Sequence, residues 1–149
     1  MNTTPRRALV TGASGEIGAA ICRRLTSAGH FVYVHANQNR AAAEALVAQL
    51  NATTRCSEAL AFDVTDASAT RSALTTLVAE LPIQILVNNA GLHDDAAFPG
   101  MSPHQWHRVM DVTVDGFFNV TQPLSMPMIR SRWGRIITMS SVAALIGNR

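Results

Sequence analysis

Five short apolar runs alternate along this chain with four longer stretches of helical character, and this alternation restricts the fold more than any single motif. Ala8-Leu9-Val10, Phe31 to Val34, Leu60 to Val64, Ile83 to Val87 and Arg135 to Met139 read as strands. Ile83 to Val87 is almost unbroken in its apolar character, as expected of a strand covered on both faces. Between the strands, Ile17 to Ala28 places Ile17, Ile21 and Leu25 on one helical face, and Gly29 is a C-terminal stop. Arg40 to Leu50 and Ser68 to Glu80 are the next helices, the latter ended by Pro82. Ser102-Pro103-His104-Gln105 carries a cap, a first-position proline and a third-position glutamine, so a helix should start there and run to about Arg132. Pro123 and Pro127 inside it predict a kink or a break. Strand–helix alternation of this kind implies right-handed crossovers and a parallel, doubly wound α/β sheet. Such sheets bind ligands beyond the carboxyl ends of their strands.

Composition excludes several other classes. The chain has 149 residues, 48% hydrophobic and 15% charged, enough for one domain with its own core. Net charge is +2 with no long basic run, which gives a nucleic-acid partner no electrostatic support. No apolar stretch reaches the roughly 18 residues of a spanning helix, so no membrane role is expected. Cys22 and Cys56 have no CxxC or metal-ligand spacing and read as reduced thiols of a cytoplasmic protein.

The first strand runs into Thr11-Gly12-Ala13-Ser14-Gly15-Glu16-Ile17-Gly18 and then into a helix, the arrangement of a dinucleotide-binding turn. Gly12 allows the sharp turn, Gly18 allows close helix–sheet packing, and the helix N-terminus offers N–H groups to a pyrophosphate. Gly12, Ser14, Gly15, Glu16, Ile17 and Gly18 are therefore candidate cofactor contacts, although a plain strand–helix turn would use the same glycines. Glu16 has two readings. It points outward, favoured by the helix dipole, or it faces the phosphates and weakens binding. The first is preferred here, on the ground that Gly15 moves the conformational freedom one residue earlier.

The end of the second strand carries Asn37, Gln38 and Arg40 and no carboxylate. An acidic residue there would bind ribose hydroxyls and repel a 2′-phosphate, so its absence favours NADP(H). Arg40 is equally well read as a solvated residue at a helix start. Asp63-Val64 ends the third strand and Asn88-Asn89-Ala90-Gly91 ends the fourth, both on the ligand edge. The small Ala90-Gly91 pair would admit a flat ring, and the asparagines can also lock the loop itself.

Taken in order, TGASGEIG, Asp63-Val64, NNAG and Gly134-Arg135-Ile136-Ile137-Thr138-Met139-Ser140-Ser141 resemble the short-chain dehydrogenase/reductase family across essentially the whole chain. Trp106 and the WGRII stretch are most similar to its 3-oxoacyl-(acyl-carrier-protein) reductase branch. The resemblance implies a Rossmann sheet, NADP(H) as cofactor and reversible hydride transfer to a carbonyl of a small-molecule or carrier-protein-bound substrate. It implies that Asp63 and Val64 hold the adenine, that Asn89, Ala90 and Gly91 line the cofactor cleft, and that Ser141 hydrogen-bonds the substrate carbonyl. It also implies a homo-oligomer, dimer or tetramer, when complete.

Three departures stand against this pattern. Glu16 occupies a classical glycine position, and the Gly12/Gly15/Gly18 spacing resembles the extended branch that includes nucleotide-sugar epimerases. Thr113 stands where the family has a helix Asn that holds a relay water beside a helix distortion. The family's Tyr-x-x-x-Lys pair would fall past Arg149; the only tyrosine here is Tyr33 and there is no lysine. The expectation is therefore a chain that covers the cofactor-binding half and is inactive alone, lacking the proton donor that general acid catalysis needs. A truncated, non-catalytic dinucleotide-binding module is the alternative. No metal is expected: His104 and His107 share a helix face without a third ligand. His93-Asp94-Asp95 borders the expected substrate cleft.

Overall fold

A computed structural model describes residues 5–146. Strands β1 (Arg7–Val10), β2 (Phe31–Ala36), β3 (Ser57–Ala61), β4 (Ile85–Asn88) and β5 (Arg135–Thr138) form one parallel sheet in the order β3-β2-β1-β4-β5. The strands are linked through helices α1 (Glu16–Ser27), α2 (Arg40–Leu50), α3 (Ala67–Glu80), and the pair α4 (Pro103–Met110) and α5 (Gly116–Arg130). A short α6 (Ala143–Ile146) follows β5. The doubly wound fold expected from the alternation is what forms. The strand order reverses at β1, which opens a crevice at the carboxyl ends of β1 and β4.

Side-chain alternation along the strands divides the core in two. Ala8, Val10, Val32, Val34, Ile85 and Val87 face α1 and α2, where Cys22 and Leu46 close the layer. Leu9, Tyr33 and Leu86 face the other way, against Leu74 of α3 and Val120, Leu124 and Met128 of α5. Ile21 and Leu25 pack on the first layer as their spacing requires, but Ile17 is 63% exposed. It lies at the first turn of α1, above the rim of the sheet, where no core reaches.

Local chemistry accounts for most helix ends. Asp66 Oδ1 accepts from the N–H groups of Ser68 and Ala69, and Asn39 Oδ1 from Ala42. Ser102 and Gln105 form the reciprocal capping box. Gly29 adopts φ 85° just past α1, the left-handed stop read from the sequence.

Two boundaries differ from expectation. The third strand is Ser57–Ala61, earlier than Leu60 to Val64, because its register on β2 ends at Ala36–Ala61 and the chain then turns through Val64 and Thr65. The long helix does not break at its prolines; Pro123 and Pro127 lie within α5. Its irregularity is a π-helical turn at Asp111–Asp115, ending where Gly116 passes so close to Val64 that an added Cβ would lie 2.8 Å from Val64 Cγ2.

Candidate functional site

The glycine turn and the end of β4 are built as one unit. Thr11 is buried, and its Oγ1 accepts the N–H groups of Asn89 at 3.0 Å and Ala90 at 2.9 Å. Asn89 Nδ2 returns the bond to the carbonyls of Thr11 (3.0 Å) and Gly12 (3.1 Å). Asn88 Nδ2 donates to Thr121 Oγ1 and ties β4 to α5. The asparagines thus lock the loops, the structural role foreseen for them. Thr11, at the centre of the lock, carried no assigned role in the sequence reading; its signal was a hydroxyl residue between an apolar strand and the first glycine.

Gly12 has φ 61°, and a Cβ on it would stand 2.9 Å from Ala90 Cα. A Cβ on Gly18 would meet Ala13 Cα at 2.6 Å. Both positions require glycine. Gly15 does not: its φ is −85°, and an added Cβ would find only Gly12 O, at 3.6 Å. Gly15 therefore does not supply the turn's conformational freedom, which rests on Gly12. Glu16 opens α1 as an exposed first-turn residue. Ser14 is half-buried in the turn, and no side chain caps the N-terminus of α1. Its first-turn N–H groups are thereby left for a ligand.

Asn37, Gln38 and Arg40 are exposed past β2 on the same edge. Arg40 Nε is engaged by Glu44 at 2.7 Å, one turn along α2. Asp63 accepts from the backbone N–H and hydroxyl of Thr65, and from the Asn37 side chain. These bonds, the Thr65 N–H foremost, hold its carboxyl below the ordinary range. Val64 follows Asp63 at the same strand end. Its side chain is 4% exposed within the core, and its carbonyl accepts from Asn119 Nδ2.

Across the crevice, Thr113 sits in the π-helical turn, so the helix distortion implied by the resemblance is present at that position. It lines a cleft of about 20 Å³ with Thr11, Asn88, Ala90, Gly116 and Thr138, room for about one water. A Cβ on Gly91 would meet nothing within 4 Å, so the rim beyond Ala90 is open. Ser141 follows β5 on the same edge, exposed, with its Oγ accepting from Ala143 N–H. It does not line the Thr113 cleft.

The other sequence candidates are engaged elsewhere or stand apart. Asp94 binds Arg108 at 2.7 Å and Gln105 at 3.1 Å, fastening the loop to α4, while His93 and Asp95 are exposed. His104 and His107 are exposed, and no group of three potential metal ligands gathers among the described residues. Cys22 is buried, and burial pushes its thiol up to about 12. A concavity of about 600 Å³ lies at the opposite end of the sheet beside Arg6, His30 and Cys56, and contains none of this chemistry.

A family model for short chain dehydrogenases matches residues 6–149. The chain belongs to that family. It is similar to a 3-oxoacyl-(acyl-carrier-protein) reductase of Aggregatibacter actinomycetemcomitans, 42% identical over 143 residues, covering 95% of this chain and 59% of the relative. It is 39% identical to an acetoacetyl-CoA reductase of Paracoccus denitrificans, over 91% of this chain and 54% of that one. Among solved structures, a gluconate 5-dehydrogenase from Burkholderia cenocepacia J2315, in complex with NADP and tartrate, superposes with a TM-score of 0.88 at 33% identity. That match covers 96% of this chain and 56% of the other. The chain thus spans between half and two thirds of the length of these proteins.

Proposed function

We propose that this chain supplies the cofactor-binding part of an NADP(H)-dependent short-chain oxidoreductase that reduces a carbonyl, with a 3-oxoacyl thioester on carrier protein or coenzyme A as the favoured substrate. The observation that carries the reading is the Thr11–Gly12–Asn89–Ala90 junction. It holds a glycine turn and an uncapped helix N-terminus beside an open rim at the switch point of the sheet. The NADP in the similar gluconate dehydrogenase and the names of the two reductases support the cofactor and substrate class.

The residues divide the work by position. Gly12, Ser14, Gly15, Glu16, Ile17 and Gly18 form the pyrophosphate seat through backbone N–H groups. Asn37, Gln38 and Arg40 are placed to meet a 2′-phosphate, Arg40 by releasing Glu44. Asp63 and the Val64 backbone border the adenine side, and Asn89 to Gly91 flank the ring that donates hydride. Ser141 orients the carbonyl oxygen, and the Thr113 hydroxyl holds a water in its cleft. The free thiols Cys22 and Cys56 support a reducing, cytoplasmic setting, and a homo-oligomer is the expected assembly.

Proton donation is the missing function. Tyr33, the only tyrosine, is 3% exposed in the core, far from a role as donor at the strand ends. The 149-residue polypeptide should therefore bind NADPH but not reduce acetoacetyl thioesters. Fluorescence titration tests the first statement, and saturation by NADH in preference to NADPH would overturn the cofactor assignment. Turnover above a Ser141→Ala control would overturn the second.

A further inference from the structure

His35 lies directly beneath the glycine turn and has no part in the chemistry above. It is 1% exposed at the end of β2, yet both ring nitrogens are bonded to backbone. Nδ1 accepts the Gly12 N–H at 3.3 Å, and Nε2 meets the Phe62 carbonyl at 2.9 Å. A carbonyl only accepts, so Nε2 carries the hydrogen and Nδ1 the lone pair. This is the neutral ring in one defined tautomer. The main chain adds to the hold: the His35 carbonyl accepts the Ala13 N–H at 2.8 Å. The ring also packs on Phe62, with centroids 4.1 Å apart. One residue therefore pins two consecutive amides of the turn and ties them to the loop that presents Asp63.

We propose that His35 is a positioning residue for the dinucleotide: its neutral imidazole sets the Gly12 amide and so shapes the phosphate seat, and protonation of the ring disrupts that seat. This rests on the reading of the turn as a cofactor site.

The charge environment is simple. Asp63, in the loop past β3, is the charged side chain that faces the ring. From β1 through the turn the chain runs Ala8 to Gly15 with no titratable side chain, and on β2 Tyr33, two residues back, shares the face of His35, its ring packed with Phe31 and under the Arg7 guanidinium. Burial disfavours the imidazolium more than Asp63 favours it. A protonated ring would set Nδ1–H against Gly12 N–H, two donors with no acceptor between them.

The test uses the 149-residue chain with NADP+ as titrant, read by calorimetry at pH 7.5 and pH 5. His35→Asn keeps a short acceptor near Gly12 and removes the titration; His35→Leu keeps bulk and removes the acceptor. At pH 7.5 we expect His35→Leu to bind about tenfold more weakly than wild type, the scale of one orphaned buried donor, and His35→Asn to stay within about threefold. On acidification wild type should weaken at least about threefold more than His35→Asn; titration of the cofactor phosphate is common to both proteins and cancels. Equal pH dependence in the two proteins overturns the proposal, as does tighter wild-type binding in acid, the result expected if the ring acted only as a positive charge. Should His35→Leu fail to fold, the wild-type and His35→Asn pair decides alone. A readout without cofactor separates this from the proposed function. If NADP+ binds none of the proteins, that function fails, and exchange of the Gly12 amide in the free chain still judges His35. Protection lost in acid for wild type but kept in His35→Asn supports the role, and protection unchanged in wild type refutes it.

Discussion

Two stretches on the same edge of the sheet are built to different standards. Where β1 meets β4, Thr11, Gly12, Asn89 and Ala90 exchange four hydrogen bonds of 2.9–3.1 Å, with a buried hydroxyl at the centre. Past β5, Ser141 is exposed and makes one bond, to an amide two residues away. The four residues of β5 are exposed as well. The first stretch is held by side-chain bonds across the sheet, whereas the second is joined to β4 by backbone pairing, last through Met139 N–H to the Asn88 carbonyl, and beyond that Ser141 bonds only a near neighbour in sequence. The geometry of the proposed cofactor seat is thus fixed by side-chain bonds that the proposed substrate-side serine does not share.

Substitutions can break or sharpen that contrast. The largest effect should come from Gly12→Val, which adds a branched side chain at φ 61° against the Ala90 backbone. A loss of about 3 kcal/mol in urea unfolding is expected, with NADPH binding abolished; stability within error of wild type would show the junction to be loose. Asn89→Ala strands two carbonyls and should cost about 2 kcal/mol in the same assay. Acid offers a perturbation without mutation. His35 titrates below its ordinary 6.5 when folded because burial disfavours the cation. Above about pH 6.5 both states hold it neutral and stability is independent of it. As pH falls, the unfolded chain takes up the proton first, so stability should decline until the folded ring protonates. A urea midpoint that stays flat between pH 7.5 and 5 in wild type, or a matching decline in His35→Asn, would contradict this. Gly15→Ser should stabilise by about 0.5 kcal/mol, by capping α1 and stiffening the unfolded chain, while weakening NADPH binding. Ser141→Ala should change stability by less than about 0.5 kcal/mol, and a larger loss would mean that the second stretch is braced after all.

Periodicity made the sheet and its helices legible, because strands covered on both faces must be apolar and their crossovers amphipathic. The capping box at Ser102 and the left-handed Gly29 were equally plain, since each depends on residues adjacent in sequence. What escaped were features created by distant contact. The third strand was misplaced because pairing with β2, not local propensity, decides where it ends. The requirement for glycine at Gly12 and Gly18, but not Gly15, depends on where Ala90 and Ala13 arrive. The burial of the Val64 side chain depends on Gly116 and Asn119, more than fifty residues along the chain. His35 and Thr11 act through backbone partners that no spacing rule reveals.

The span of the Thr11 bonds has a consequence for how the chain acquires its shape. Thr11 lies 78 and 79 positions from the amides it holds, and β1 is central in the sheet between β2 and β4. During synthesis, β1, α1 and β2 can associate early, but the seat above Gly12 stays unfinished until β4 has emerged and closed a long loop. The glycine motif thus takes its final form only after a segment made some 78 residues later, and nascent chains stopped before Asn89 should carry the glycine signature without an ordered turn.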